Sequence, residues 1–286
     1  MCKPPYRSLT DGALWASSRR DAISGLIFIP PLIGDTAISQ LHRFRRLRQD
    51  GFGLYTFAFP GHPGAGGRFS LKAATKMTRH HMERARLRAN RMATPLFGLG
   101  CCAAAIPLLA AAQAAPMPPT HLVLINPIVR FSPTAVLSAF WRYSREYSRS
   151  PLRQLRSLPS YLEHLFPGII KDHQRFGALK RRRAALPRLV MEILYDRLLA
   201  TVRITRTPVT CCYGEADALI RHLIPQGAKA YEASIRHHCP RSIFKPMQGS
   251  HFFTGAPLRH RLRRTITAAF GMPQYANKKG TAGPPP

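Results

Sequence analysis

The feature that most constrains the fold is a series of short apolar runs that alternate with longer segments of helical periodicity. The runs are rich in aliphatic and aromatic residues and end at proline, glycine or polar residues, which is typical of strands buried on both faces. They are Leu26–Ile29, Gly53–Phe59, Thr94–Leu99, His121–Asn126, Pro208–Tyr213 and Ser242–Lys245. Since helical segments separate most of the runs, right-handed crossovers should connect parallel strands. The sequence therefore predicts an α/β fold with a mostly parallel central sheet flanked by helices.

The boundaries of this core follow from where the alternation stops. Helical periodicity with several proline breaks, and no strand run, extends over 128–206. An insertion between two strands of such a sheet sits over their carboxyl ends, where ligands bind, so we expect a helical cap there. The core is then 26–127 and 207–272. It follows an N-terminal extension, 1–25, and precedes a Pro/Gly-rich tail, 273–286, which we expect to be disordered.

The charge balance is extreme, with 43 Lys and Arg against 13 Asp and Glu and a formal net charge of +30. Such a balance usually indicates a polyanionic partner, either nucleic acid or an anionic membrane surface. The arginines are scattered through every predicted helix, and no zinc-finger spacing, RNP-like aromatic strand or basic heptad region accompanies them. Nucleic acid is therefore disfavoured as the main partner, whereas a peripheral position at the inner membrane surface stays open.

The N-terminus and the cysteines indicate a cytoplasmic protein. The first residues lack the basic start, apolar middle and cleavage site of a secretory signal, and the apolar segment Ala103–Ala115 is too short to span a bilayer. The six cysteines include no CxxC pair but two vicinal pairs, which would close only a strained disulfide. We expect reduced thiols and no metal or other cofactor.

The third strand run leads into the stretch LFGLGCCAAAIP, where small residues surround two thiols. Small residues are needed at a strained strand-to-helix turn that carries a nucleophile, because neighbours two positions away crowd its backbone. Aligning Gly98 with the first glycine of G-x-S-x-G puts Gly100 at the tip of the turn. Aligning Gly100 there puts Cys102 at the tip, with Ala104 as the second small residue. The second register is favoured because it leaves a longer strand and brings Pro107 nearer the helix start.

An acid and a histidine follow later strands in a matching order. Asp217 follows a strand run in YGEADAL, with Glu215 as a rival acid, and His251 follows the last run in GSHFF. Nucleophile, acid and histidine in this order, each after a strand, resemble the α/β-hydrolase superfamily over roughly 26–270. The turn LGCCAAA is similar to the L-G-x-C-x-G-G elbow of polyhydroxyalkanoate synthases, a cysteine branch of that fold, although two alanines replace its glycines.

The resemblance implies acyl transfer from an ester or thioester through a covalent acyl-cysteine. Cys102 would be the nucleophile, His251 would take and return its proton, and Asp217 would hold the histidine. The amides of Leu32 and Ala103 would bind the oxyanion. The expected substrate is an acyl group carried on coenzyme A or a carrier protein, and the remaining cysteines of the vicinal pairs are expected to be packing residues.

The sequence leaves three questions open. Arg142, Arg145 and Arg149 recur at helical spacing in the cap, either as a solvated face or as a clamp for an anionic acyl carrier or lipid headgroups. A second function class is an inactive pseudo-hydrolase, with Gly100 at the turn, that binds an acyl ligand or a partner without turnover. A third is a basic protein associated with a membrane surface or nucleic acid.

Overall fold

The computed structural model describes residues 7–8, 13–19, 23–32, 36–62, 69–128, 201–215, 217, 227–249, 253 and 256–271. They form one eight-stranded sheet in the order β1-β2-β4-β3-β5-β6-β7-β8. The strands are β1 (Arg7–Ser8), β2 (Leu14–Ala16), β3 (Gly25–Ile29), β4 (Phe52–Thr56), β5 (Leu96–Cys101), β6 (His121–Ile125), β7 (Val209–Gly214) and β8 (Ser242–Met247). Strands β3 to β8 pair in parallel, whereas β1 and β2 pair antiparallel at one edge.

Helices connect the parallel strands. They are α1 (Ala37–Phe44), α2 (Leu71–Arg91), α3 (Ala105–Ala114), α4 (Gly227–His238) and α5 (Ala256–Ala269), with 3-10 helices at Arg45–Asp50 and Cys102–Ala104. The chain moves from β3 to β4 on one side and then back past β3 to β5. Right-handed crossovers consequently place α1 and α2 on opposite faces of the sheet.

The burial of the strands explains their continuous apolar sequences. Every residue of β3, β4, β5 and β7 is buried, as expected for central strands covered by helices on both faces. Helix α3 is buried on almost all sides, and α2 buries a stripe that includes Ala74, Met82 and Ala89 against the sheet. The side chain of Ser70 caps α2 by accepting a hydrogen bond from the Ala73 amide at 3.1 Å.

The predicted α/β class with a mostly parallel sheet is confirmed, and all six strand runs are strands. Two differences stand out. The edge strands β1 and β2 were not predicted, and β5 continues to Cys101, beyond the predicted end at Leu99. The predicted cap falls outside the described residues except for Ile128 and 201–206, as do most of the N-terminal extension and the whole tail.

Candidate active site

The strand-to-helix turn lies at Cys102. Its backbone φ is 51°, in the left-handed region that non-glycine residues rarely adopt, and a 3-10 turn and then α3 follow it. Such a conformation costs about 1–3 kcal/mol and is found mainly at functional sites. Gly100 lies inside β5, paired with Leu124, so the register with Gly100 at the tip is not the one that the structure adopts.

Small residues around the turn let the helix start against the strand. A Cβ atom on Gly100 would lie 2.8 Å from the Leu108 Cδ2 atom and 3.2 Å from the Ala105 Cα atom. The second distance involves helix backbone, which cannot rotate away. Ala104, two residues after Cys102, is fully buried. The small residues therefore have a packing reason that is independent of the thiols.

The amino end of α3 points its partial positive charge toward the turn. Neither the 3-10 turn nor α3 has a side-chain cap, and neither has an acidic residue in its first turn. The Ala105 amide donates to the carbonyls of Cys102 and Ala103. The preceding amides lie at the end of the helix that favours a negative charge, as an oxyanion site requires.

The loop after β6 holds the turn from the other side. The Ile128 amide donates to the Cys102 carbonyl oxygen at 3.2 Å. Asn126, with φ of 44°, donates from its amide to the Cys212 carbonyl at 2.8 Å, and its side-chain oxygen accepts from the Gly214 amide at 2.7 Å. The carboxyl ends of β5, β6 and β7 are therefore joined by hydrogen bonds through 126–128.

Asp217 lies at the same edge of the sheet. Its amide donates to the Gly214 carbonyl, the last residue of β7, at 3.0 Å, and the residue is fully buried. Its rival Glu215 is exposed. A carboxylate that is removed from water needs a hydrogen-bonding or charged partner, which is the situation of an acid that holds a catalytic histidine.

Tyr231, on α4, is hydrogen-bonded to the loop that holds the turn, since its hydroxyl donates to the Pro127 carbonyl oxygen at 2.9 Å. Burial raises the pKa of its phenol well above the ordinary value, and electrostatic interactions with Cys211, Asp217 and Cys102, together with a hydrogen bond with Cys211, raise it further. The phenol is consequently neutral at physiological pH. The Pro127–Ile128 peptide connects Tyr231 to the turn, since the Ile128 amide donates to the Cys102 carbonyl oxygen.

Known structures with the same architecture cover nearly the whole chain. A carboxyl esterase from Bacillus coagulans superposes with a TM-score of 0.61 at 15% identity, over 94% of this chain and 99% of the esterase. The Vlm2 thioesterase domain gives 0.61 at 14% identity, over 90% of this chain and 96% of that domain. An α/β serine hydrolase without a lid from Xanthomonas campestris gives 0.54 at 16% identity, over 94% and 95%. The protein has the α/β-hydrolase fold.

At these identities the likeness establishes the fold alone. The sequence matches no protein-family model and no curated protein. One of the structures with this fold is described as a serine hydrolase, whereas this chain has a cysteine at the strand-to-helix turn.

The α/β-hydrolase fold brings four of the predicted site residues to one edge of the sheet. Leu32 is buried and follows β3, which pairs directly with β5, the strand that leads to Cys102 and Ala103. Asp217 completes this set. His251 lies outside the described residues, and the described Gly249 and Phe253 on either side of it both have positive φ. The arginines predicted to bind an anion, Arg142, Arg145 and Arg149, also lie outside the described residues.

Three described thiols of the α/β-hydrolase core, those of Cys211, Cys212 and Cys239, are poor nucleophiles. Burial, followed by the charge of Cys101, raises the pKa of Cys212 to about 12. Burial also raises the pKa of Cys211 well above its ordinary value and that of Cys239 to about 12. Thiols with such pKa values are almost entirely protonated near neutral pH. This agrees with the prediction that Cys211 and Cys212 are packing residues.

In the part of the chain that the structure describes, no group of His, Cys, Asp and Glu is arranged to hold a metal ion. Within the same ranges, no helix combines the length and the apolar character needed to cross a bilayer.

Sequence reasoning missed Asn126 and Tyr231. Both contribute through contacts with residues that are distant in the sequence, so no local pattern identified them. The only available signal was the position of Asn126 directly after a buried strand, since asparagine tolerates a left-handed backbone better than most residues.

Proposed function

We propose that the protein is an acyl-transfer enzyme that acts on thioesters or activated esters through an acyl-cysteine at Cys102. The observation that carries this proposal is the left-handed backbone of Cys102 between a buried strand and the amino end of α3. A nucleophile in this position is presented at the carboxyl edge of the sheet, beside the amides that stabilise developing negative charge.

The chemistry proceeds in two halves. The Cys102 sulfur attacks the carbonyl carbon while its proton passes to His251, and the resulting oxyanion accepts hydrogen bonds from the Leu32 and Ala103 amides. Each such donor is worth about 3 to 4 kcal/mol in the transition state. The tetrahedral intermediate expels a thiol or an alcohol, which receives the proton from His251. Water or another nucleophile then attacks the acyl-enzyme, and the cysteine is regenerated.

Asp217 supports this cycle without reacting itself. Its carboxylate orients His251 and stabilises the imidazolium that forms when the thiol is deprotonated. The complete burial of Asp217 supports this role, because a low dielectric strengthens the interaction between the acid and the imidazolium.

The substrate class that we propose is an acyl thioester on coenzyme A or a carrier protein. The shared fold of the esterase and the Vlm2 thioesterase domain is compatible with either ester or thioester chemistry. Within this proposal we also predict that Arg142, Arg145 and Arg149 bind the anionic carrier, and that the acyl group is transferred to an acceptor other than water. The similarity of LGCCAAA to the elbow of polyhydroxyalkanoate synthases belongs to the same prediction. Peripheral association with an anionic membrane is a further prediction from the charge.

The direct test is turnover by matched variants of the full chain. Acyl-coenzyme A esters of several lengths are followed by thiol release, and p-nitrophenyl esters are followed by release of nitrophenol. Cys102→Ala is expected to lower kcat by a factor on the order of 10³ or more. Cys101→Ala, which removes the adjacent thiol in β5, is expected to keep near wild-type activity. Equal activity of the two variants would contradict the proposal.

A further inference from the structure

We infer that Tyr231 is a positioning residue that holds Cys102 in its reactive conformation through the peptide group between Pro127 and Ile128. The inference rests on the proposed function, because it concerns how the same nucleophile is oriented. It adds to that function a residue on α4 that does not touch the reacting atoms.

One peptide group connects the two residues. The Tyr231 hydroxyl donates to the Pro127 carbonyl oxygen at 2.9 Å, and the Ile128 amide, in the same peptide unit, donates to the Cys102 carbonyl oxygen at 3.2 Å. A peptide unit is planar, so its carbonyl and N–H groups cannot turn independently. A bond that fixes the carbonyl direction therefore also fixes the direction of the N–H group that binds Cys102.

The Cys102 backbone needs such a restraint. Its left-handed φ costs free energy, so the turn keeps this conformation only where its surroundings enforce it. The Ile128 amide donates to the carbonyl oxygen of Cys102 itself. That carbonyl and the Ala103 N–H belong to one planar peptide unit, so the direction of the Ala103 N–H follows the rotation of the carbonyl. Loss of the restraint would disturb the nucleophile and the proposed oxyanion donor together.

The loop that contains this peptide has few alternative conformations. Asn126 is itself left-handed and is fixed by two hydrogen bonds to β7, and Pro127 has a restricted φ. The remaining freedom is rotation of the 127–128 peptide plane, and Tyr231 is the side chain that binds it. Tyr231 is almost completely buried, at 1% exposure, so water is not available to replace its hydroxyl.

Polarisation of the 127–128 peptide group strengthens its hydrogen bond to Cys102. A carbonyl that accepts a hydrogen bond makes the N–H of the same peptide unit a better donor. The phenol stays protonated over the working pH range and serves as a donor to Pro127, not as an acid or base in the reaction.

The chain offers a closely matched control for this tyrosine. The Tyr213 hydroxyl, on β7, donates to Glu232 Oε1, on α4, at 2.9 Å, and Tyr213 is buried. Tyr213→Phe therefore removes a tyrosine hydrogen bond of the same length at α4, but one that ends on β7 and not on the loop after β6, so it does not alter the 127–128 peptide.

The experiment compares Tyr231→Phe with Tyr213→Phe in the full chain. The first readout is kcat and KM with an acyl-coenzyme A substrate. The second is the rate of Cys102 carbamidomethylation by iodoacetamide, normalised to the folded fraction from urea titration. We expect Tyr231→Phe to lower kcat by roughly ten- to a hundredfold with KM within twofold, and to change the alkylation rate several-fold. Tyr213→Phe is expected to leave both readouts within twofold.

The outcomes separate this inference from the proposed function. If Cys102→Ala abolishes turnover but Tyr231→Phe behaves like Tyr213→Phe, the positioning role is wrong and the function stands. If Cys102→Ala has no effect on turnover, the proposed function itself is wrong. Where Tyr231→Phe does not fold, Ile128→Pro removes the amide hydrogen and keeps Tyr231. The same selective loss of kcat is expected from it, and wild-type kcat would overturn the inference.

Discussion

Gly100 and Ala105 approach each other so closely that a Cβ atom on Gly100 would lie 3.2 Å from the Ala105 Cα atom. This contact brings the first turn of α3 directly against β5 and leaves Cys102 to make the reversal between them. The position of the nucleophile thus depends on a glycine two residues earlier in the strand, through packing against helix backbone.

We therefore expect replacement of this glycine to reduce activity by more than the accompanying loss of stability can explain. Gly100→Ala is expected to lower the free energy of unfolding by about 1 to 3 kcal/mol and to reduce kcat at least tenfold, because the helix must shift. Gly98→Ala is the matched control, since its Cβ would meet the Leu122 Cδ2 atom and only side chains need to move. Urea unfolding and thioester turnover measure both effects. An equal kcat loss in the two variants would exclude a specific role for Gly100.

Asp217 and Glu215 provide a second matched pair. Asp217→Asn removes the buried charge and is expected to lower kcat by roughly 10² to 10⁴, because the imidazolium loses its partner. Glu215→Gln changes an exposed acid two residues away and is expected to retain activity within twofold. Steady-state kinetics at saturating substrate measure kcat of both variants. If Glu215→Gln lost activity and Asp217→Asn kept it, the catalytic acid would be Glu215.

The environment of His121 leads us to predict that the free energy of unfolding depends on pH, independently of catalysis. Burial lowers its pKa, and its Nε2 atom lies 2.9 Å from the Thr210 Oγ1 atom. Between the folded value and the unfolded value of about 6.5, the unfolded chain binds more protons, so stability rises with pH. The contribution is complete above the unfolded pKa and is lost as pH falls through the folded pKa.

The measurement for this prediction is the free energy of unfolding in urea at pH 8 and at pH 5.5. We expect the wild-type chain to lose more stability between these values than His121→Gln, which keeps a polar group near Thr210 but does not titrate. A larger pH-dependent loss in the variant would show that the sign is wrong.

The sequence predicted the parallel sheet because its central strands are buried on both faces and carry uninterrupted apolar residues. It also favoured the correct position for the turn, since strand length and the place of Pro107 both pointed to Cys102. It missed β1, which comprises only Arg7 and Ser8, because two residues carry no periodic signal. Tyr231 could not be predicted from the sequence for another reason, since its role depends on a peptide group about a hundred residues away.

Covalent trapping shows whether an acyl group passes through Cys102 during turnover. The full chain is mixed with an acyl-coenzyme A, quenched in acid within one turnover and digested with trypsin. Peptide 92–130 contains only two cysteines, Cys101 and Cys102. We expect a hydroxylamine-labile acyl mass on this peptide in the wild type and in Cys101→Ala, and we expect it to be absent in Cys102→Ala. An acyl adduct that persists in Cys102→Ala, or that maps to another residue, would show that Cys102 is not the nucleophile.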